Sequence, residues 1–179
     1  MKISILLDTH DSFLHEYIPS LIEGLVERGH SVKYHNKHTD ISSGEVLFLL
    51  GCKTILSSEI LKLHKHTLVV HPSKLPEGRG SAALVWKILE GKNKIYLTLF
   101  EANEKIDKGD IYIQEAIIFN GYELSEEIRC KQAKKTIDMV LKYIDNYKNI
   151  VPHKQIGKST FVRKRTFKDS ELDVDKSIR

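Results

Sequence analysis

Short apolar runs set between helix-period stripes narrow the fold of this chain more than any other feature. Residues 2–7 form one such run, and it stops at the polar turn Asp8-Thr-His-Asp-Ser12, as a strand buried on both faces would. From Phe13, apolar residues recur at Leu14, Tyr17, Ile18, Leu21, Ile22, Leu25 and Val26, a helical stripe that Gly29 closes. Residues 31–35 and 46–50 read as a second and a third strand. A short helix over 57–63 follows, with Ser57 placed to cap it, then a fourth strand over 67–70 broken by His71-Pro72. After the turn-rich Leu75-Pro-Glu-Gly-Arg-Gly80, a helix is expected from 81 to 89, ending at Gly91. Strand and helix alternating over short links predict a parallel sheet wrapped by helices.

The second half reads differently. Residues 95–100 and 111–118 alternate as strands around the polar stretch 101–110, and an amphipathic helix is expected from 125 to 147, with Ile128, Ile137, Val140, Leu141 and Ile144 on its apolar face. Together these predict an α/β, doubly wound, Rossmann-like domain over 1–150, mostly parallel with an antiparallel strand in its second half. A basic, irregular and partly extended tail is expected over 151–179. At 179 residues the chain is long enough for one core, burying roughly 70% of its unfolded surface. Eight of its 28 basic and four of its 24 acidic residues lie from Val151 onward, so the body is neutral with twenty of each. A neutral body argues against a surface that coats DNA or RNA. No apolar run approaches the ~20 residues of a membrane span, the N-terminus lacks a cleavage site, and the two cysteines, Cys52 and Cys130, fit a reducing cytoplasm.

Chemistry concentrates in two loops. His71-Pro-Ser-Lys-Leu-Pro-Glu-Gly-Arg-Gly80 follows a buried strand, and ligand sites in such sheets lie beyond the C-terminal ends of strands. Ile106-Asp-Lys-Gly-Asp110 precedes another strand, and a carboxylate there can reach His71 and orient its ring. The paired histidines His35/His38 and His64/His66 have no cysteine or carboxylate at ligand spacing, so no metal is expected. Trp86 is expected in the core. Without a Gly-x-Gly-x-x-Gly or phosphate loop, NAD and ATP are poorly supported.

In these segments the chain resembles the N10-formyltetrahydrofolate-dependent formyltransferases. The likeness rests on His-Pro-Ser-x-Leu-Pro-x-x-Arg-Gly at 71–80, Asp-x-Gly-Asp-Ile at 107–111 and Leu50-Gly-Cys-Lys-Thr-Ile-Leu-Ser57. Gly91 and Thr98 match as well, and the likeness is close over 46–118. It implies that His71 and Asp107 are catalytic. Ile55, Leu56 and Ser57, then Ser73, Lys74, Leu75 and Pro76, then Asn103, Glu104, Lys105 and Ile106 would hold the folate co-substrate. The implied reaction is attack of a neutral primary amine on the formyl carbon, with His71 stabilising the oxyanion and moving a proton. One position departs from the family pattern Asn-x-His: Val69 stands where an asparagine would donate to the formyl oxygen. Loss of one such donor costs about 10²–10³ in rate. Thr67 shares that face but lies about 13 Å from His71 at ~3.3 Å per residue, too far to replace the amide; Ser73 or a backbone N–H could stand in for it, and otherwise His71 does more alone, the chain is slow, or it no longer catalyses.

The tail segment 161–171 is similar to the Arg-Arg-Thr-Pro-x-Asp-Ser stretch that follows the catalytic domain in sugar-nucleotide formyltransferases. That resemblance implies a nucleotide-linked amino sugar as acceptor, with Arg79, Gly80, Arg163 and Arg165 at the substrate and the arginines suited to a pyrophosphate. Methionyl-tRNA and a glycinamide nucleotide are the rival acceptors, and a non-catalytic folate- or nucleotide-binding relative is the rival class. Neither DNA, tRNA nor a membrane is expected as a partner, and a homodimer stays open.

Overall fold

The computed structural model describes residues 1–171. Its strands are β1 (Lys2–Leu6), β2 (Ser31–His35), β3 (Gly44–Leu49), β4 (His64–His71), β5 (Arg79–Gly80), β6 (Lys94–Glu101), β7 (Ile111–Ile118) and β8 (Phe161–Val162). Its α-helices are α1 (Ile18–Glu27), α2 (Ser58–Leu61), α3 (Ala83–Leu89) and α4 (Ser125–Asp145). Six strands form one sheet in the order β2-β1-β3-β4-β6-β7. The four on the β2 side are mutually parallel, β6 runs antiparallel to β4, and β7 antiparallel to β6. The expected α/β sheet with an antiparallel part is what forms. None of the described helices is long and apolar enough to cross a membrane.

Period-2 alternation divides the core. Ile3, Ile5, Val46, Phe48 and Leu68 point into a large core against α1 and α4, while Leu6, Leu47 and Leu49 point into a smaller one with Leu56 and, at its border, Val69. Both faces are covered, which is why the parallel strands read as continuous apolar runs. The stripe expected on α4 holds at Val140 and Ile144, but its centre is Tyr143, 1% exposed and edge-on to Phe48 and Tyr112. The tyrosine's polar tip hid that position from a purely apolar reading.

Local differences have physical causes. The helix expected from Phe13 opens as a 3-10 turn, Phe13–Tyr17, and becomes α-helical at Ile18, with Pro19 in the first turn, where no intrahelical N–H is missed. Ser57 sits at the N-cap of α2 with extended backbone, but its side chain makes no capping bond, so the expected cap is corrected. Strand β4 begins three residues before its expected start. His64 Nε2 meets Ser4 Oγ at 3.1 Å, and His66 Nδ1 lies 3.1 Å from Glu101 Oε2. Polar partners thus let both histidines enter the sheet. Among the described residues no three His, Cys, Asp or Glu side chains are grouped to hold a metal.

The turn from β6 to β7 brings two backbones together. A Cβ on Gly109 would lie 1.5 Å from the Glu101 carbonyl oxygen, so only glycine allows the approach that lets Glu101 N–H bond the Asp110 carbonyl at 2.9 Å. Gly109→Ala is expected to lower stability by about 1–3 kcal/mol, as overpacking does elsewhere. Urea unfolding measures it, and a midpoint equal to that of the unaltered protein contradicts the reading.

Candidate active site

Strand β4 delivers His71 to the sheet's C-terminal edge, where it pairs with Thr98 of β6. The residue is 7% exposed, and its Nε2–H donates to the Gly78 carbonyl at 2.8 Å. The loop after it is pinned from below. Thr98 Oγ1 donates to the Ser73 carbonyl at 2.7 Å, and Gln114 Nε2 donates to Thr98 Oγ1 at 2.9 Å and to the Leu75 carbonyl at 3.1 Å. Thr98 was legible in the sequence; Gln114 was not, because one polar residue in an alternating strand carries no signal of its own.

Asp107 arrives from the β6–β7 loop. Its Oδ2 accepts the Gly80 N–H at 2.8 Å and lies 3.8 Å from His71 Nε2. The imidazole and the carboxylate therefore share one mouth, 36 residues apart in the chain, and the Gly80 amide bridges their loops. Asp107 takes φ +52, a left-handed backbone. That conformation costs an L-residue roughly 1–2 kcal/mol, least for Asp and Asn, so neighbouring contacts must hold it.

Those contacts come from the tail. Gln155 Nε2 donates to the carbonyls of Asp107 and Gly109 at 2.9 and 2.8 Å, and Gln155 Oε1 accepts from Arg79 Nη2 at 2.6 Å. Thr160 Oγ1 accepts the Gly78 N–H at 2.8 Å, and β8 pairs in parallel with β5. A Cβ on Gly80 would fall 2.3 Å from the Val162 carbonyl, so the strap closes only over glycine. His153 bridges Ile111, the first residue of β7. The part of the tail beyond 171 lies outside the described residues.

The other anticipated residues fall into three places. Leu56 is buried beside Val69 and Ala102, while Ile55 and Ser57 are exposed at the loop's rim. Asn103, Glu104, Lys105 and Ile106 are exposed on the loop that carries Asp107, with Asn103 Oδ1 accepting the Lys105 N–H. Ser73, Leu75 and Pro76 are buried in the His71 loop, Lys74 is exposed, and the Ser73 hydroxyl has no protein partner. Arg79 is held by Gln155 and Ser159, Arg163 pairs with Asp169, and Arg165 bonds the Asp169 carbonyl and Ser170. Trp86 is half-buried rather than in the core. Its Nε1–H donates to the Arg163 carbonyl and its ring carries the Arg163 guanidinium 4.7 Å from the centroid. The indole's polar edge needs a partner, and the strap supplies it.

One cavity adjoins this constellation, and another shares none of its residues. The first, of about 220 Å³, opens between the His71 loop and the strap, lined by Leu75, Pro76, Ile111, Gln114, His153 and Ile156 among others. The second, of about 460 Å³, lies beyond β1, lined by Leu7, Asp8, His10, His15, Asn36 and Lys37. Burial pushes the Asp8 carboxyl up, but hydrogen bonds from Thr54 and Lys53 outweigh it and hold the group below the usual carboxylate range. Asp8 thus ties the ends of β1 and β3 together.

The model of the formyl transferase family matches residues 22–142, more than half of the chain. The chain belongs to the formyl transferase family. The methionyl-tRNA formyltransferase of Caldicellulosiruptor saccharolyticus is 31% identical over 135 residues, 74% of this chain and 43% of that protein. The chain spans less than half the length of the curated formyl transferases it matches. Among solved structures, a methionyl-tRNA formyltransferase from Clostridium thermocellum overlays with TM-score 0.84 at 24% identity, covering 99% of this chain and 78% of that one. HypX from Aquifex aeolicus in complex with tetrahydrofolic acid gives 0.83 at 22%, covering 99% and 32%. A 4-N formyltransferase from Francisella tularensis gives 0.75 at 22%, covering 99% and 83%. At these identities the overlays establish the shared fold.

Cys52, in the loop beside Leu56, points its thiol at the Leu6 carbonyl at 3.2 Å, and burial pushes its pKa up to about 12. An unperturbed thiol ionises near pH 8.5, so at pH 8 the native protein holds roughly 10³-fold less Cys52 thiolate than the unfolded chain. Iodoacetamide followed by mass spectrometry should find Cys52 unmodified in native protein and readily alkylated in urea. Equal rates in the two states contradict the burial.

Proposed function

We propose that this chain transfers a formyl group from N10-formyltetrahydrofolate to a primary amine. The observation that carries the reading is the His71–Asp107 juxtaposition at the end of β4, 3.8 Å between Nε2 and Oδ2. An imidazole beside a carboxylate in a nearly buried mouth is suited to hold developing negative charge and to relay one proton. The amine nitrogen forms a bond to the formyl carbon, the formyl oxygen takes up the electron pair, and the C–N10 bond breaks as the oxygen's carbonyl reforms. His71 moves the proton lost by the amine to the departing N10, so charge and atoms balance. The Gly78 carbonyl fixes the ring through Nε2, and Asp107, 3.8 Å from that nitrogen, sets a carboxylate beside it.

The family's usual amide donor is replaced by Val69, whose side chain packs with Leu56 and Leu75 rather than presenting a donor. Ser73 supports a substitute: its hydroxyl is buried without a partner, two residues past His71, against Gly78. Leu56 with Ile55 and Ser57 on one loop, and Asn103, Glu104, Lys105 and Ile106 on the other, suit the two sides of a folate. In this reading residues 1–150 supply both catalytic groups, the tail braces them, and the reaction runs in the cytoplasm, where two free thiols, Cys52 and Cys130, stay reduced.

For the acceptor we propose a nucleotide-linked amino sugar. What supports it is the Arg163–Ser170 stretch, whose exposed Lys164 and Lys168 add to Arg163 and Arg165 directly after β8, the strand paired with Arg79 and Gly80. A pyrophosphate there would take over the carboxylate's place on Arg163, now filled by Asp169. Transfer to methionyl-tRNA is the second reading, favoured by the curated relatives at 31% identity.

Purified protein given N10-formyltetrahydrofolate with 4-amino sugar nucleotides or methionyl-tRNA should release tetrahydrofolate with one acceptor class. His71→Ala is expected to lower turnover by roughly 10²–10⁴-fold with an unchanged circular dichroism spectrum. Turnover retained in that variant overturns the role of His71, and folate binding without product from any amine overturns transfer.

A further inference from the structure

We infer that Gln155, in the tail, is a positioning residue of the transfer site: its side-chain amide holds the Asp107 loop in the shape that brings the carboxylate to His71. The inference rests on the formyl-transfer reading for its consequence in rate, while its structural half stands on geometry alone.

The amide is fully committed. Its Nε2 donates to the Asp107 carbonyl at 2.9 Å and to the Gly109 carbonyl at 2.8 Å, so one –NH₂ group spans the turn on both sides of Lys108. Its Oε1 accepts from Arg79 at 2.6 Å, and that contact fixes which end of the amide faces which loop. Arg79 belongs to the His71 loop and Asp107 to the β6–β7 loop, so a single side chain joins the two loops that carry the catalytic pair. Asp107 holds φ +52 at the point where its own carbonyl is grasped, and its Oδ2 accepts the Gly80 N–H next to Arg79. The carboxylate, the left-handed backbone and the Gln155 amide thus form one closed ring of contacts. A carboxylate cannot replace the amide, because it has no proton to give to two carbonyls; a thioether can make none of the three bonds.

Two variants separate positioning from simple bracing. Gln155→Glu keeps the acceptor for Arg79 and loses both donors, whereas Gln155→Met keeps length and loses all three bonds. Both are expected to lower kcat by about 10- to 10²-fold, as small displacements of catalytic groups do, with KM for the folate and the amine within about threefold of the unaltered protein. A Gln155→Glu protein with full kcat would show that only the link to Arg79 matters, and would overturn the inference. A readout independent of activity is hydrogen exchange at the Gly80 amide, which reports where the Asp107 carboxylate sits. Its protection should fall at least tenfold in Gln155→Glu while amides along β4 and β6 keep theirs; unchanged Gly80 protection overturns the proposal. Should neither variant fold, the unaltered protein still decides. Slowly exchanging, well-separated Gln155 side-chain N–H signals support the inference, and solvent-like exchange refutes it. If the unaltered protein transfers no formyl group, the functional reading fails on its own, and the exchange data still judge the positioning.

Discussion

A direct hydrogen bond joins the two halves of the candidate site: the Gly80 N–H to the Asp107 carboxylate, 2.8 Å long. Everything else at the mouth is arranged so that it can form. The His71 loop must present a backbone amide, which requires the left-handed glycines Gly78 and Gly80; the Asp107 loop must turn through a left-handed aspartate. The sheet sets the scale of the encounter. His71 rides on the last parallel strand, β4; its antiparallel neighbour β6 ends beside Leu68, three residues before His71, so the loop after β6 must double back to bring Asp107 to the mouth.

The tail completes this arrangement. Its segment from His153 to Arg163 touches β7, both loops of the candidate site and α3 in turn. Each contact is small: one bridge, three amide bonds, a two-residue strand, a stacked guanidinium. Together they cover the two loops, and net hydrogen-bond contributions of about 1 kcal/mol each are enough to bias loops of this kind. The cost is that Arg79, Arg163 and Arg165 already have partners, so an anionic acceptor would compete with the tail's own Asp169 and Ser170.

Much of this was legible in the residues. Strands whose two faces are both buried, β1 and β3, write themselves as apolar runs, and they and the edge strands β2 and β7 fell within a residue or two of where the pattern put them. The His71 and Asp107 loops were visible because their prolines and glycines mark special backbone, and the resemblance to known formyltransferases gave the two residues roles. What stayed hidden depends on contacts between distant segments. Gln155 meets Asp107 across 48 residues and Thr160 meets Gly78 across 82, with no periodicity to announce either. The two-residue strands β5 and β8 are too short to carry a pattern. His64 and His66 read as a connection because their strand character rests on Ser4 and Glu101, supplied from elsewhere in the sheet.

That His71 and Asp107 form one catalytic unit is a proposal that a double-mutant cycle in single-turnover formyl transfer tests most directly. With the acceptor class in hand, rates would be measured for the unaltered protein, His71→Ala, Asp107→Asn and the double variant. Residues that act together lose their contribution once, so the double variant should be scarcely slower than the worse single variant. Losses that multiply in full would mean that the two groups act separately, and would contradict the account.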